Sequence, residues 1–197
     1  MLPFKGQMLY SRSSRFAALA LACVLSACMQ TEGDAGSLPA MRWDHRPEAA
    51  QWTEATLSAL RSYGAVLPAT VPADIAQYCP NYSKQGPEER RAFWAGLFSA
   101  IAKHESTWNP TAKGGGGRYI GLLQISPATA KYAGCDLSKG GLTDGASNLA
   151  CAVRIAALRG PDNSDPLAAI VADWGPMHSA QKRADVAAYT RQQTYCN

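Results

Sequence analysis

The 197-residue chain has few of the residues from which proteins build metal sites. Its three histidines, His45, His104 and His178, are widely separated, and no two of the four cysteines after residue 28 are closely spaced. Structural zinc sites combine cysteine and histidine at short, regular spacing. We therefore expect the protein to work without a metal ion or cofactor.

A large excess of positive charge is also missing. The formal net charge is +4, from 19 basic and 15 acidic residues, but Lys5, Arg12 and Arg15 lie within the first 27 residues, which contain no acidic side chain. Leaving out these three cations gives 16 − 15 = +1 for the rest of the chain. Nucleic-acid-binding domains usually concentrate basic residues on one face. We therefore expect no nucleic-acid partner.

Long apolar runs are absent except near the N-terminus. The apolar stretch 16–27 follows basic residues and is too short to span a membrane, which is typical of a secretory signal peptide. Residues 25–28 (Leu-Ser-Ala-Cys) resemble a bacterial lipobox, which implies cleavage before Cys28 and a lipid on its thiol. We expect residues 1–27 to be the signal peptide and the lipoprotein to reside in the periplasm, at the inner face of the outer membrane. An ordinary signal peptide followed by a chance cysteine is the alternative.

No later stretch alternates convincingly between apolar and polar residues, so extended β-sheet is not expected. Residues 28–46 are polar and contain Gly, Pro and Ser, and they are predicted to be a tether. Residues 47–197 have the size of one domain and are predicted to form a compact, monomeric all-α domain. Helices are expected at 47–63, 74–78, 87–104, 127–133, 144–159, 166–174 and 181–193, with a small irregular hairpin near the glycine run 114–117.

The exported domain keeps four cysteines: Cys79, Cys135, Cys151 and Cys196. An even number in an exported domain predicts two disulfides, for which three connectivities are possible. Cys135 and Cys151 bracket a short loop, so we expect them to pair, which leaves Cys79 to pair with Cys196.

The helix predicted for 87–104 is followed by a single carboxylate, Glu105. Pro87 suits the first helical position, and apolar residues recur at helical spacing. At about 100° per residue, Glu105 lies within roughly 20° of Trp94, on the apolar face. Partial desolvation and the negative end of the helix dipole favour the protonated acid there, which could serve as a general acid. The plainer interpretation is a solvated glutamate at a helix end.

Ordered motifs continue after this carboxylate. They are Glu-Ser at 105–106, Asn-Pro-x-Ala at 109–112 and Gly-Leu-Leu-Gln-Ile at 121–125. Together they resemble the signature of the lytic transglycosylase family, which includes soluble-lytic-transglycosylase-like and goose-type-lysozyme-like proteins. The resemblance implies a lysozyme-like helical fold, with Glu105 as the sole catalytic acid and base. It also implies cleavage of the β-1,4 bond between N-acetylmuramic acid and N-acetylglucosamine in peptidoglycan. The four glycines at 114–117 would let backbone approach a ligand closely, or could be a flexible linker.

Sugar polymers are bound by aromatic faces and by side chains that form hydrogen bonds. The candidate substrate contacts are Ser106, Tyr119, Gln124, Asp173 and Trp174. The resemblance implies a cleft position for Gln124, whereas Trp174 could equally be a core residue. At 172–176 the chain reads Ala-Asp-Trp-Gly-Pro where the family has Ala-Tyr-Asn. The family's tyrosine, thought to support the catalytic glutamate, is therefore missing there, and Tyr119 or Tyr189 could take its role.

A glycoside hydrolase normally needs two carboxylates at defined separations, and the central motif supplies only Glu105. A single acid fits a transglycosylase, in which the muramic acid 6-hydroxyl closes on C1 and leaves a 1,6-anhydro sugar. Two other interpretations stay open. One is a lysozyme-type hydrolase with Asp136, Asp144 or Asp173 as its second carboxylate. The other is a non-catalytic peptidoglycan-binding protein with the same fold.

Overall fold

The computed structural model describes residues 37–159 and 165–197. The predicted signal peptide, the predicted lipid site at Cys28 and the first part of the predicted tether lie outside the described residues. Within the two described ranges, no helix is both long enough and apolar enough to cross a membrane.

Helices dominate the described chain, as the sequence predicts. The α-helices are α1 Ala49–Arg61, α2 Val66–Ala69, α3 Ile75–Tyr78, α4 Pro87–Ser106, α5 Pro127–Tyr132, α6 Gly145–Arg159, α7 Pro166–Asp173 and α8 Ala180–Arg191. Two short strands, β1 Lys113–Gly114 and β2 Tyr119–Ile120, pair antiparallel and form the hairpin expected around the glycine run. Helix α2 lies in a segment for which the sequence predicts no helix.

Side-chain caps and prolines determine where the shorter helices begin. The Ser126 hydroxyl accepts a hydrogen bond from the backbone N–H of Thr129 at 3.0 Å, and the Asp165 carboxylate accepts one from that of Leu167 at 2.9 Å. A proline follows each of these caps at the first helical position of α5 and α7. The cap satisfies a donor that the helix leaves unpaired, and proline has no N–H to leave unpaired there.

Helix α4 lies at the centre of the core. Its residues 92–102 are buried, and it packs against α1, α2 and α8. The side chain of Trp94 is fully buried and donates from Nε1 to the Tyr82 hydroxyl at 2.8 Å. Because neighbours enclose α4, the position of its last turn is determined by the core and not by local loop structure.

The predicted tether is wrong for residues 41–46. Met41 and Trp43 are only 4% and 0% exposed, and Arg42 makes two hydrogen bonds to the Asp185 carboxylate at 2.7 and 3.0 Å. The folded domain therefore includes this segment and begins before Pro47. The polar composition of the segment concealed two buried apolar side chains and the bonds of Arg42 to Ser99 and Asp185, which lie far away in sequence.

Both predicted disulfides are confirmed. Cys79 and Cys196, with Cα atoms 4.8 Å apart, join the end of α3 to the C-terminus. Cys135 and Cys151, with Cα atoms 5.2 Å apart, join the loop after α5 to α6. Closing loops in this way typically stabilises a fold by about 2–4 kcal/mol per bridge.

Candidate active site

A cleft of about 1090 Å³ opens at the end of α4. Its lining comes from the last turn of α4, the β1–β2 hairpin and the loop after it, helix α5, the end of α6, and the segment 173–178. Its volume is at the upper end of the range typical of small-molecule sites. The cleft is therefore large enough for a ligand of several linked rings.

Glu105 lines this cleft as the penultimate residue of α4. Burial raises the pKa of its carboxyl group from 4.5 to about 7, and the positive charge of Lys182 on α8 opposes that rise. The direction agrees with the sequence-based expectation, but Trp94 is not its source. Trp94 lies eleven residues away, about 16 Å along the helix, and does not line the cleft. At neutral pH a large fraction of Glu105 carries a proton that it can donate.

The backbone turns sharply immediately after the catalytic candidate. Thr107 and Trp108 both adopt left-handed conformations, with φ of 53° and 54°. The indole Nε1 of Trp108 donates to the Ser99 carbonyl oxygen at 2.9 Å, so the chain folds back on α4. This turn ends the helix at Ser106 and leaves Glu105 at the edge of the cleft.

Ser106 takes a different role from the predicted one. Its hydroxyl lies within hydrogen-bonding distance of two carbonyl oxygens, 3.3 Å from that of Ala102 and 3.0 Å from that of Leu122. It does not line the cleft. We therefore reassign Ser106 from a substrate contact to a structural link between the end of α4 and the segment after β2.

Asn148, for which the sequence predicted no role, also holds the segment after β2 in place. It is fully buried on α6, and its Oδ1 accepts from the backbone N–H of Leu123 at 2.9 Å. Its Nδ2 donates to the carbonyl oxygens of Ile120 and Leu142, each at 3.0 Å. A side chain at Gly121, where φ is 83°, would collide with Asn148 and with the Leu142 carbonyl. An asparagine among the inward-facing apolar positions of a helix was the signal that could have identified it.

Gln124 lies in the cleft lining as predicted. It adopts a left-handed conformation, with φ of 48°, and its Nε2 donates to the Gly121 carbonyl at 2.8 Å and the Ala112 carbonyl at 3.3 Å. A side chain at Gly114 would collide with its Oε1. A non-glycine residue in this conformation is strained, and such strain clusters at functional sites. The neighbouring backbone thus holds the Gln124 amide against the first glycine of the run.

The two predicted aromatic contacts differ in exposure. Tyr119 lines the cleft and is 41% exposed, so its ring is available to a ligand. Trp174 also borders the cleft but is only 5% exposed, and it packs edge-on against Phe98 with ring centroids 5.9 Å apart. Its indole Nε1 donates to the Leu123 carbonyl at 3.3 Å. Trp174 is therefore chiefly a core residue, and its hydrogen bond to Leu123 holds the backbone of the cleft lining in place.

Of the proposed second carboxylates, only Asp173 lies in the cleft lining. Its Oδ2 lies 3.1 Å from Nε of Arg159, which also lines the cleft. Asp144 caps α6 by accepting from the backbone N–H of Ser147 at 2.8 Å. Asp136 lies in the loop after α5, outside the cleft lining. Within the described ranges, no group of three or more His, Cys, Asp or Glu side chains could hold a metal ion.

Neither candidate replacement for the family's supporting tyrosine is bonded to Glu105. The Tyr189 hydroxyl donates to the Ala40 carbonyl at 3.3 Å, away from the cleft lining, and Tyr119 lies on the hairpin. The charged group that influences Glu105 is the ammonium of Lys182. In this chain the group identified as acting on Glu105 is therefore a cation and not a tyrosine hydroxyl.

Several cleft residues escaped the sequence analysis because nothing local identifies them. They are Ser126, Thr129, Tyr132, Leu158, Arg159 and His178. Tyr132 is 90% exposed and Leu158 is 46% exposed, although both are large and largely apolar. Helical periodicity indicates which residues face the core, but it does not show which exposed residues surround a common cleft.

Comparisons with known proteins support the fold and the family resemblance of the chain. Residues 83–172 match the family model described as "Transglycosylase SLT domain". Among solved structures, wild-type Bd0314 DslA (form 2) is similar with a TM-score of 0.69 and 22% sequence identity, covering 82% of this chain and 100% of that one. Two glutamate-to-glutamine mutants of DslA, with the same coverage, give TM-scores of 0.69 and 0.67 at 22% and 21% identity. No curated protein sequence matches the chain significantly. The predicted lysozyme-like, mainly helical fold is confirmed.

Proposed function

Because residues 83–172 form a domain of the SLT transglycosylase family, we propose that the protein is a lytic transglycosylase that cleaves peptidoglycan glycan strands. The bond it cleaves is the β-1,4 linkage between N-acetylmuramic acid and N-acetylglucosamine. The observation that carries the proposal is a half-buried glutamate, Glu105, at the edge of a large cleft, with its pKa raised to about 7.

Glu105 serves first as the general acid. A carboxylic acid that is half protonated near neutral pH can both give and take a proton, which a single-residue mechanism requires. The protonated carboxyl donates to the glycosidic oxygen as the C1–O bond of the muramic acid breaks. The acetamide of the same sugar shields the positive charge that develops at C1.

Glu105 then serves as the general base. Its carboxylate takes the proton of the muramic acid 6-hydroxyl, whose oxygen bonds to C1 and closes the 1,6-anhydro ring. The proton balance is restored, and no water is consumed. Lys182 stabilises the carboxylate in the interval between the two transfers, since an opposite charge nearby favours the ionised form.

The cleft supplies contacts for the glycan. The Tyr119 ring, on β2, offers an exposed aromatic face for a sugar ring. Gln124 and the backbone of the glycine run lie beside it in the cleft lining and can contact hydroxyl and acetamide groups. We also propose that the protein is exported and held by a lipid on Cys28 in the periplasm, which places it next to peptidoglycan.

One observation favours a hydrolase as the second candidate, because a second carboxylate, Asp173, lines the same cleft. Mass spectrometry of peptidoglycan digested by the purified protein separates the two. Anhydro ends, one water lighter than hydrolysed ends, are the expected product. Hydrolysed ends would assign the hydrolase mechanism, and binding to peptidoglycan without any cleavage would assign a non-catalytic role.

A further inference from the structure

Three of the seven exposed large apolar side chains of the described residues line the cleft. Tyr119, Tyr132 and Leu158 all line it, and they are among the few large apolar residues of the described chain that are more than a third exposed. Single exposed apolar side chains are normal on a protein surface. Three that share one concave site indicate contact with a ligand.

Two of these residues lie together on what we call the α5–α6 wall, defined by Tyr132, Leu158 and Arg159. Tyr132 ends α5, whereas Leu158 and Arg159 end α6. The Cys135–Cys151 disulfide and a hydrogen bond from Arg154 to the Ala133 carbonyl hold the end of α5 against α6. The wall is therefore fixed before any ligand binds.

The α5–α6 wall and the neighbouring Asp173 on α7 together present both signs of charge. The Arg159 guanidinium and the Asp173 carboxylate form an ion pair at 3.1 Å, and their side chains remain 57% and 25% exposed. Exposed ion pairs contribute little to stability, so exchanging this pair for contacts with a ligand should cost the fold little. A ligand with both a carboxylate and an ammonium group can bind the two partners at once.

The glycan strand does not offer that combination. Its amino groups are acetylated, and the lactyl carboxylate of muramic acid is converted to an amide where a peptide stem is attached. The stem itself carries free carboxylates, the amino group of a diamino acid, and the methyl groups of alanine. The exposed ring of Tyr132 and the aliphatic side chain of Leu158 can pack on the methyl groups. The Arg159–Asp173 ion pair is complementary to the carboxylates and the amino group.

We propose that the α5–α6 wall, together with Asp173, is a subsite for the peptide stem of the muramic acid residue. This proposal rests on the proposed function, because the stem reaches the wall only if the glycan lies in the cleft. Arg159 binds a stem carboxylate, Asp173 binds the diamino acid ammonium group, and Tyr132 and Leu158 pack on the alanine side chains. The enzyme therefore prefers strands that keep their peptides over strands from which an amidase has removed them.

The test compares kcat/KM on peptide-bearing strands with kcat/KM on amidase-treated strands. For Tyr132→Ala and Arg159→Met we expect the ratio of the two values to fall about three- to tenfold, the usual effect of losing one stacking or charged contact. Arg61→Met is the matched control for arginine, because Arg61 is also ion-paired and 52% exposed but lies outside the cleft. Val71→Ala is the control for loss of an exposed apolar side chain, because Val71 is 49% exposed and lies outside the cleft lining, and both controls should leave the ratio unchanged.

If the variants lost the same fraction of kcat/KM on both kinds of strand, the wall would contact sugars and the proposal would be overturned. Unchanged kcat/KM on both kinds of strand would also overturn it. A binding measurement separates this proposal from the proposed function. A synthetic stem tetrapeptide containing a diamino acid, titrated into the purified protein and followed by NMR, should bind saturably to wild type and more weakly to Tyr132→Ala. Turnover without peptide binding would sink the subsite alone, whereas peptide binding without turnover would sink the transglycosylase activity alone.

Discussion

The Asn148 side chain accepts a hydrogen bond from the backbone N–H of Leu123 at 2.9 Å and so ties helix α6 to the cleft lining. Leu123 precedes Gln124, and its carbonyl accepts the Trp174 indole N–H at 3.3 Å. The carbonyl oxygen of Leu122, the residue before Leu123, accepts a hydrogen bond from the Ser106 hydroxyl at 3.0 Å. The backbone of residues 122–123 is thus hydrogen-bonded to the end of α4, to helix α6 and to Trp174, which follows α7.

We expect Asn148→Ala to destabilise the domain by about 2–4 kcal/mol, because the Leu123 N–H and the Leu142 carbonyl lose the side chain to which they are bonded. Asn109→Ala is the matched control. The Asn109 amide bonds only within an exposed turn, so its loss should cost less than about 1 kcal/mol. Chemical denaturation of both variants measures the difference, and equal losses would remove the special role of Asn148.

Gly121→Ala should be more damaging than a glycine substitution of similar backbone conformation. Gly121 and Gly116 both have positive φ, 83° and 68°, but only Gly121 has neighbours in the space that a Cβ would fill. Gly116→Ala should cost about 1 kcal/mol from backbone strain, whereas Gly121→Ala should cost several kcal/mol more. Thermal melts of the pair test this, and similar melting temperatures would contradict it.

Glu105 should lower the stability of the native protein at neutral and alkaline pH. Its folded-state pKa, about 7, lies above its unfolded value, so the native state binds more protons between these two values and its stability falls as pH rises through them. Glu105→Gln removes this penalty. We expect the variant to be more stable than wild type by about 1–3 kcal/mol at pH 8, with the difference disappearing near pH 4. Urea denaturation across this pH range measures it, and a constant difference would rule out burial of an ionisable carboxyl as the cause.

Lys182→Met should shift the alkaline limit of activity to higher pH. Lys182 lowers the pKa of Glu105, so its loss leaves the acid protonated at higher pH. Two other basic side chains at the end of α4, Lys103 and His104, are both bonded to the Asp185 carboxylate. Lys182→Arg should restore the wild-type profile of kcat/KM against pH.

Lys84→Met is the control for this experiment, because Lys84 is not among the charged groups that shift the pKa of Glu105. Its profile should match that of wild type. If the alkaline limit of kcat/KM in Lys182→Met stayed where it is in wild type, or moved to lower pH, Lys182 would not act on Glu105.

The sequence predicted the features that depend on local patterns. Helix α4 follows from its first proline and its apolar spacing, and α5 begins at residue 127 as predicted, directly after its cap Ser126. The pairing of Cys135 with Cys151 follows from their short separation. Glu105 and Gln124 were identified because they belong to an ordered motif.

Features that depend on distant contacts were missed or wrongly assigned. Residues 41–46 were predicted to belong to a tether, but Arg42 bonds to Ser99 and Asp185, which lie far from it in sequence. The orientation of Ser106 depends on where Leu122 lies, and the burial of Trp174 depends on α4. Tyr132 and Arg159 meet in one cleft only because α5 and α6 pack together, which no single stretch of sequence shows.

The central claim is that Glu105 is the sole general acid and base, and activity of Glu105→Gln on purified peptidoglycan tests it most directly. The amide keeps the shape of the side chain but cannot exchange the required proton, so the release of anhydro products should fall by at least about 10²–10⁴-fold. A thermal melt and a peptidoglycan-binding assay on the same samples should show a folded, binding-competent protein. Release of anhydro products at the wild-type rate by a well-folded Glu105→Gln protein would contradict the account.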